Sequence, residues 1–228
     1  MAQYEEIGNV NIWWFPEDFC QSRFGDYRKS GTNSCTLISL ILADKVSKMP
    51  SLSQNVKELP EKAWDLIGDS INEGNIVYHD EISANLNINI PDAMAAIRSH
   101  HKINFLLEEW FFTQVDGGNT PSQLFAAIVA DCRTVMVSID LRTSIAFIVD
   151  SHQHGNNAGA FFAQSDAHYI SDLMFWFISM LDHIFSSHPA IFEISFLCAM
   201  PDIALRIPPA VKQHANNICK FKKSSKTA

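Results

Sequence analysis

A chain of 228 residues, 47% of them hydrophobic, has ample material for one substantial core, which excludes global disorder. Lysine and arginine total 17 against 25 aspartates and glutamates, and the net charge of −8 is the wrong sign for non-specific binding of nucleic acid or an anionic membrane. The five cysteines are odd in number, widely spaced and without a CxxC pair, which argues against a disulfide framework or a cysteine-based zinc finger and fits a reducing compartment.

The N-terminus, MAQYEEIGNV, lacks the basic-then-apolar order of a signal peptide, and Asp, Glu or His interrupts each long apolar stretch. The expected location is therefore cytoplasmic, with the nucleus left open by the basic tail KFKKSSK at 220–226. Residues 1–34 carry an aromatic cluster, Trp13, Trp14 and Phe15, read as a short strand or extended arm over a core, followed by a polar, turn-rich loop. From Cys35 the run CTLISLIL repeats apolar residues at helical spacing, which predicts a helix over 35–48 with one face in the core, capped by Thr32, Asn33 or Ser34. A second helix is predicted from Pro60 to Gly74, with Trp64, Ile67 and Ile71 on one side, and a third over 91–99.

Residues 111–115 read as a strand, DGGN at 116–119 as a turn, and 122–130 as a helix. Val135, Val137 and Ile139 then alternate with Thr134, Met136 and Ser138, the mark of a strand. A second strand follows over 144–152 and a third starts at 160–163, joined by short turns in an antiparallel meander. A long apolar helix over 167–186 and a last strand over 192–200 complete the chain. Helices in the first half and an antiparallel sheet in the second make the class α+β, a single domain over 1–210 with a basic C-terminal tail, 211–228.

Two stretches carry chemistry. Cys35 opens a helix, where the dipole and unpaired N–H groups favour a thiolate. Asp150-Ser151-His152-Gln153-His154 closes the second strand, and residues two apart share a strand face, so a carboxylate and two imidazoles come together. His152 there can serve as a base for a distant cysteine, with His154 as the alternative one pleat further on. The same Asp150-x-His152-x-His154 set is also a compact metal-ligand cluster, and Asp166-x-His168 repeats half of it.

A cysteine opening a helix, a long helical insert, then a meander whose strand ends in Asp-Ser-His resembles the papain-like cysteine peptidases, and more narrowly the deubiquitinases of the herpesvirus large tegument protein type. The resemblance spans roughly residues 15–165. It implies a papain-like fold and a thiol hydrolase with Cys35 as nucleophile, His152 as general base and Asp150 as the residue orienting it. It also implies an upstream glutamine, here Gln21, in the oxyanion hole, with Asn33 as a fallback and the backbone N–H of Cys35 as second donor. The implied partner is ubiquitin or a ubiquitin-like modifier, with no cofactor, no nucleic acid and no membrane. The two other functions open to this sequence are a catalytically inactive interaction module on the same fold, binding a protein partner, and a metal-dependent enzyme built on Asp150, His152 and His154.

Overall fold

The computed structural model describes residues 1–28, 33–49, 52, 54–82, 88–100, 105–107 and 122–199. The strand expected over 111–115, the turn after it and the tail over 211–228 lie outside the described residues, as does Thr32.

Among the described residues, eight strands form one antiparallel sheet in the order β1-β2-β7-β6-β5-β4-β8-β3. They are β1 (Gln3–Ile7), β2 (Val10–Trp14), β3 (Phe105–Leu107), β4 (Gln123–Ala130), β5 (Arg133–Asp140), β6 (Ile145–Asp150), β7 (Phe161–Asp166) and β8 (Phe192–Ala199). Among the described residues, four α-helices flank it: α1 (Cys35–Ser47), α2 (Ala63–Val77), α3 (Ile90–His100) and α4 (Ile170–Phe185). The chain is thus α+β with an antiparallel sheet. Among the described residues no helix is long and apolar enough to cross a membrane.

The sheet is covered on both faces, and strand alternation sorts side chains between two cores. Trp13, Phe15, Phe125, Met136, Phe147, Val149 and Phe162 face the layer of α1, α2 and α3. Ile12, Ile128, Val135, Val137, Ile148, Phe161 and Ala163 face α4. This double burial explains the one element of opposite kind to that predicted. Residues 123–130 form β4, not a helix: with both faces buried, QLFAAIVA has no polar alternation to betray a strand. The N-terminal aromatic segment is likewise a full hairpin, β1–β2, turned at Gly8 with φ 59°, so part of the first half belongs to the sheet. A π-helical turn at Tyr78–Ile82 extends α2.

Helix α1 departs from the expected single apolar face. Residues Cys35 to Asp44 and Val46 are all buried, the pattern of a helix enclosed on every side. It lies between β5 and β4 on one side and α2 on the other. Gly74 lets α2 approach closely, since a Cβ there would lie 2.5 Å from Ile38 Cγ1. The pairing Met136↔Val149 sets the start of β5 beside the end of β6, and Asp150↔Phe161 and Trp14↔Phe161 bring the start of β7 and the end of β2 to the same margin. The N-terminus of α1 opens there.

Candidate active site

Cys35 is the first residue of α1 and only 3% exposed. Ser34, which precedes it, does not cap the helix with its side chain. Its hydroxyl donates instead to Asn75 Oδ1 at 2.6 Å, and Asn75 Nδ2 donates to the carbonyl of Gln21 at 2.9 Å. Buried Asn75, on α2, therefore ties the helix that carries Cys35 to the loop that carries Gln21.

That loop is sewn to the start of β7. Phe15 N–H donates to Ala160 O (2.9 Å), Gly159 N–H to Phe15 O (2.9 Å) and Ala160 N–H to Phe19 O (2.7 Å). Residue 159 must be glycine for this approach, because a Cβ would stand 2.2 Å from Pro16 O and 2.4 Å from Phe19 O. Phe15, Phe19 and Trp64 stack beneath, with ring centroids 4.6 to 5.0 Å apart. Gln21 N–H then donates to Ser151 O at 2.8 Å, and Ser151 Oγ donates to Gln21 Oε1 at 2.9 Å. The second bond orients the amide, setting its Nε2 end opposite to Ser151.

Beta-strand β6 ends at Asp150, two residues earlier than expected, and His152 and His154 lie in the turn beyond it. Asp150 is fully buried and binds both rings, one per oxygen. His152 N–H and Nδ1 meet Oδ1 at 2.9 and 2.5 Å, and His154 Nε2 meets Oδ2 at 3.2 Å. With Nδ1 held by the carboxylate, His152 has Cys35 as its other electrostatic neighbour. Thr134, at the start of β5, is the other polar neighbour acting on the thiol. Thr134 is fixed in turn by Thr36 (Oγ1···Oγ1 2.8 Å) and by Ser39 Oγ donating to its carbonyl at 3.2 Å.

The charges reinforce one another. Burial pushes the Cys35 thiol up, but His152, with Thr134, outweighs it and brings the thiol below its ordinary value. Burial pulls His152 down, yet the charge and hydrogen bond of Asp150, together with Cys35, push it up to about 10. Burial raises the Asp150 carboxyl, and the two histidines more than reverse this, holding it far below the usual carboxylate range. A thiolate facing an imidazolium is the resting form that these directions favour. Beside them lies a groove of about 330 Å³, whose walls include Gln21, Asn33, Cys132, Arg133 and His152. A thiol, an imidazole, a buried carboxylate and an amide, gathered beside a groove, are side chains of the kinds that acyl transfer uses.

Of the residues singled out in the sequence, Cys35, His152, Asp150 and Gln21 are assembled here, and Asn33 lines the groove. His154 is not brought to Cys35. It lies on the far side of Asp150, with Nδ1 donating to Gly159 O at 2.7 Å, so the role of alternative base does not fit its placement. The metal arrangement fits no better. Both nitrogens of His154 are engaged, those of His152 point to Asp150 and Cys35, and no cluster of three or more His, Cys, Asp or Glu side chains among the described residues could hold an ion. Asp166 and His168 form a separate, exposed pair.

Thr134, Ser151 and Asn75 were not singled out beforehand. Asn75 did carry a signal: it continues the Ile67, Ile71 stripe at helical spacing, and a polar residue on an apolar stripe is a buried polar group in need of partners.

No family model matches the chain, and no curated protein does. Among solved structures, a ubiquitin-specific protease encoded by a murine cytomegalovirus tegument protein, solved in complex with a ubiquitin-based suicide substrate, is similar to this chain. The likeness covers 82% of this chain and 84% of that one, at 12% identity and a TM-score of 0.42.

Proposed function

We propose that this protein is a cysteine hydrolase of papain-like plan that cleaves the amide bond following the C-terminal tail of ubiquitin or a ubiquitin-like modifier. The observation that carries the hydrolase reading is the continuous buried array Cys35–His152–Asp150, with the thiol lowered and the imidazole raised. The choice of a ubiquitin-type substrate rests on the order of the motifs in the chain, Gln21, Cys35 and then Asp150-x-His152.

In the proposed reaction His152 holds the proton of Cys35, and the thiolate attacks the substrate carbonyl carbon. A C–S bond forms and the carbonyl π electrons move to oxygen. Gln21 Nε2 and the backbone N–H of Cys35 receive that oxyanion, the amide end being set by Ser151. His152 then gives its proton to the leaving amine, and the C–N bond breaks to leave a thioester. Water attacks the thioester with His152 as base, releasing the carboxylic acid and returning the thiol. Asp150 holds Nδ1 throughout, so the other ring nitrogen stays turned to the sulfur.

The test is labelling by ubiquitin, and in parallel by ubiquitin-like modifiers, bearing a C-terminal electrophile. The expected result is one covalent adduct, mapped to Cys35 and lost in Cys35→Ala. Failure of every such probe to label Cys35, or labelling that survives Cys35→Ala, would overturn the reading.

A further inference from the structure

His154 is the least explained polar side chain near the site. It is 3% exposed, and its ring lies 5.5 Å from Trp14, 4.9 Å from Phe161 and 5.5 Å from Phe185, centroid to centroid. Its backbone N–H donates to Ala158 O at 2.8 Å, closing the turn. A histidine meant only to fill this aromatic box would leave apolar neighbours on all sides. Instead each ring nitrogen meets an acceptor, Gly159 O at 2.7 Å and Asp150 Oδ2 at 3.2 Å.

Neither of those partners can donate, Asp150 being a carboxylate. Both bonds therefore require an N–H, and only the doubly protonated ring has two. Strand β2 contributes Trp14, β7 Phe161 and α4 Phe185 to the rings packed around it. The other charged groups nearby are Asp150 and His152 on the same segment and Arg133 from β5, whose guanidinium carbon sits 3.9 Å from the centre of the Phe185 ring. The row of side chains thus alternates in sign: Cys35, His152, Asp150, His154.

We propose that His154 is a positioning residue that anchors the second oxygen of Asp150, so that the carboxylate keeps its orientation and its charge when His152 gives up a proton. This rests on the proposed role of His152 as proton carrier. When His152 becomes neutral, Asp150 loses its positive neighbour on that side while fully buried, and a buried carboxylate with an oxygen lacking a donor is costly. His154 supplies the remaining donor. Without it, Oδ2 turns toward some other donor and swings Oδ1 off His152. The ring is then no longer aligned on the sulfur, and the thiolate loses its partner.

Two substitutions divide the two bonds of His154. His154→Asn keeps a donor near the place of Nδ1, toward Gly159, and removes the one to Asp150. His154→Gln keeps a donor near the place of Nε2, toward Asp150, and removes the one to Gly159. Each is made alone and together with His152→Ala in the full chain. The readout is the rate of alkylation of Cys35 by iodoacetamide across pH, followed by mass spectrometry of the Cys35 peptide, which requires no knowledge of the substrate. The expected result near neutral pH is a loss on the order of 10-fold for His154→Asn and less than about 3-fold for His154→Gln, the scale of one charge-assisted hydrogen bond. In the His152→Ala background His154→Asn makes no further difference, because its effect passes through His152. Equal rates for the two variants, or a loss that persists when His152 is absent, would overturn the proposal, the latter marking a purely structural role. If ubiquitin probes fail to label the wild type while this pattern holds, the substrate reading falls and the assignment of His154 stands.

Discussion

The chain contains the Asp-x-His motif twice, and the two copies are built alike. At Asp150 and at Asp166 a strand ends, the backbone N–H of the histidine two residues on donates to Oδ1 at 2.9 Å, and its Nδ1 meets the same oxygen, at 2.5 Å in the first and 2.7 Å in the second. Both carboxyls are held below their ordinary value, by the histidine in each case. The difference lies in what surrounds the motif. The side chains of Asp150 and His152 are 0% and 16% exposed, and a cysteine and a second histidine complete the row. Those of Asp166 and His168 are 43% and 83% exposed, and besides its histidine Asp166 meets Ser144 Oγ, at 3.5 Å. The local sequence makes the Asp–His pair, and tertiary position makes it chemistry. Burial strengthens the interaction of the charges in the first copy, while water screens them in the second.

The largest expected effect sets the two aspartates against each other. Asp150→Asn removes the charge that raises His152 and is expected to lower turnover of a ubiquitin-type substrate by on the order of 10³-fold or more. It also leaves His152 and His154 buried without their counter-charge, at a cost of about 3 kcal/mol in denaturant unfolding. Asp166→Asn is expected to leave both measurements at wild-type values. Equal effects of the two substitutions would break the comparison.

A smaller effect is expected from the tether that the second motif lacks. Asn75→Ala removes its two bonds, to Ser34 Oγ and to the Gln21 carbonyl, from the core and should cost about 1–3 kcal/mol of stability. Because it loosens the Gln21 loop relative to Cys35, turnover is expected to fall about 10-fold, while alkylation of Cys35, which uses no oxyanion donor, stays near wild type. Loss of alkylation in step with turnover would place Asn75 in thiol activation instead.

The sequence and the structure agree where a local signal carried the information. The helix opening at Cys35 shows in its apolar periodicity, the meander in the alternation at Val135, Val137 and Ile139, and the Asp-x-His motif in its side chains alone. Three features were hidden for identifiable reasons. Strand β4 is apolar on both faces because helices cover both sides of the sheet, which only the fold reveals. The separation of His152 from His154 depends on β6 ending at Asp150, where the turn sends the two rings to different oxygens of one carboxylate. Thr134 lies some hundred positions from Cys35 in the chain, and nothing in the residues around it announces that β5 begins against the N-terminus of α1. For the same reason the sequence could pose the two Asp-x-His motifs but not rank them by burial.

The central claim is that Cys35 and His152 form a buried thiolate–imidazolium pair. The pH dependence of Cys35 alkylation by iodoacetamide tests it most directly, with Asp150→Asn and Asp166→Asn alongside. The thiol lies below its ordinary value of 9.0 and the imidazole rises to about 10. Wild type should therefore reach half its maximal rate below pH 9 and hold the ion pair up to about pH 10. The stability contributed by His152 should be complete below its unfolded value of about 6.5 and be lost as pH rises through about 10, whereas that of Asp150 is present at neutrality and lost in acid. Asp150→Asn should move the alkylation midpoint upward toward that of an ordinary thiol, and Asp166→Asn should leave it unchanged. A wild-type midpoint at or above 9, unmoved by Asp150→Asn, would contradict the pair.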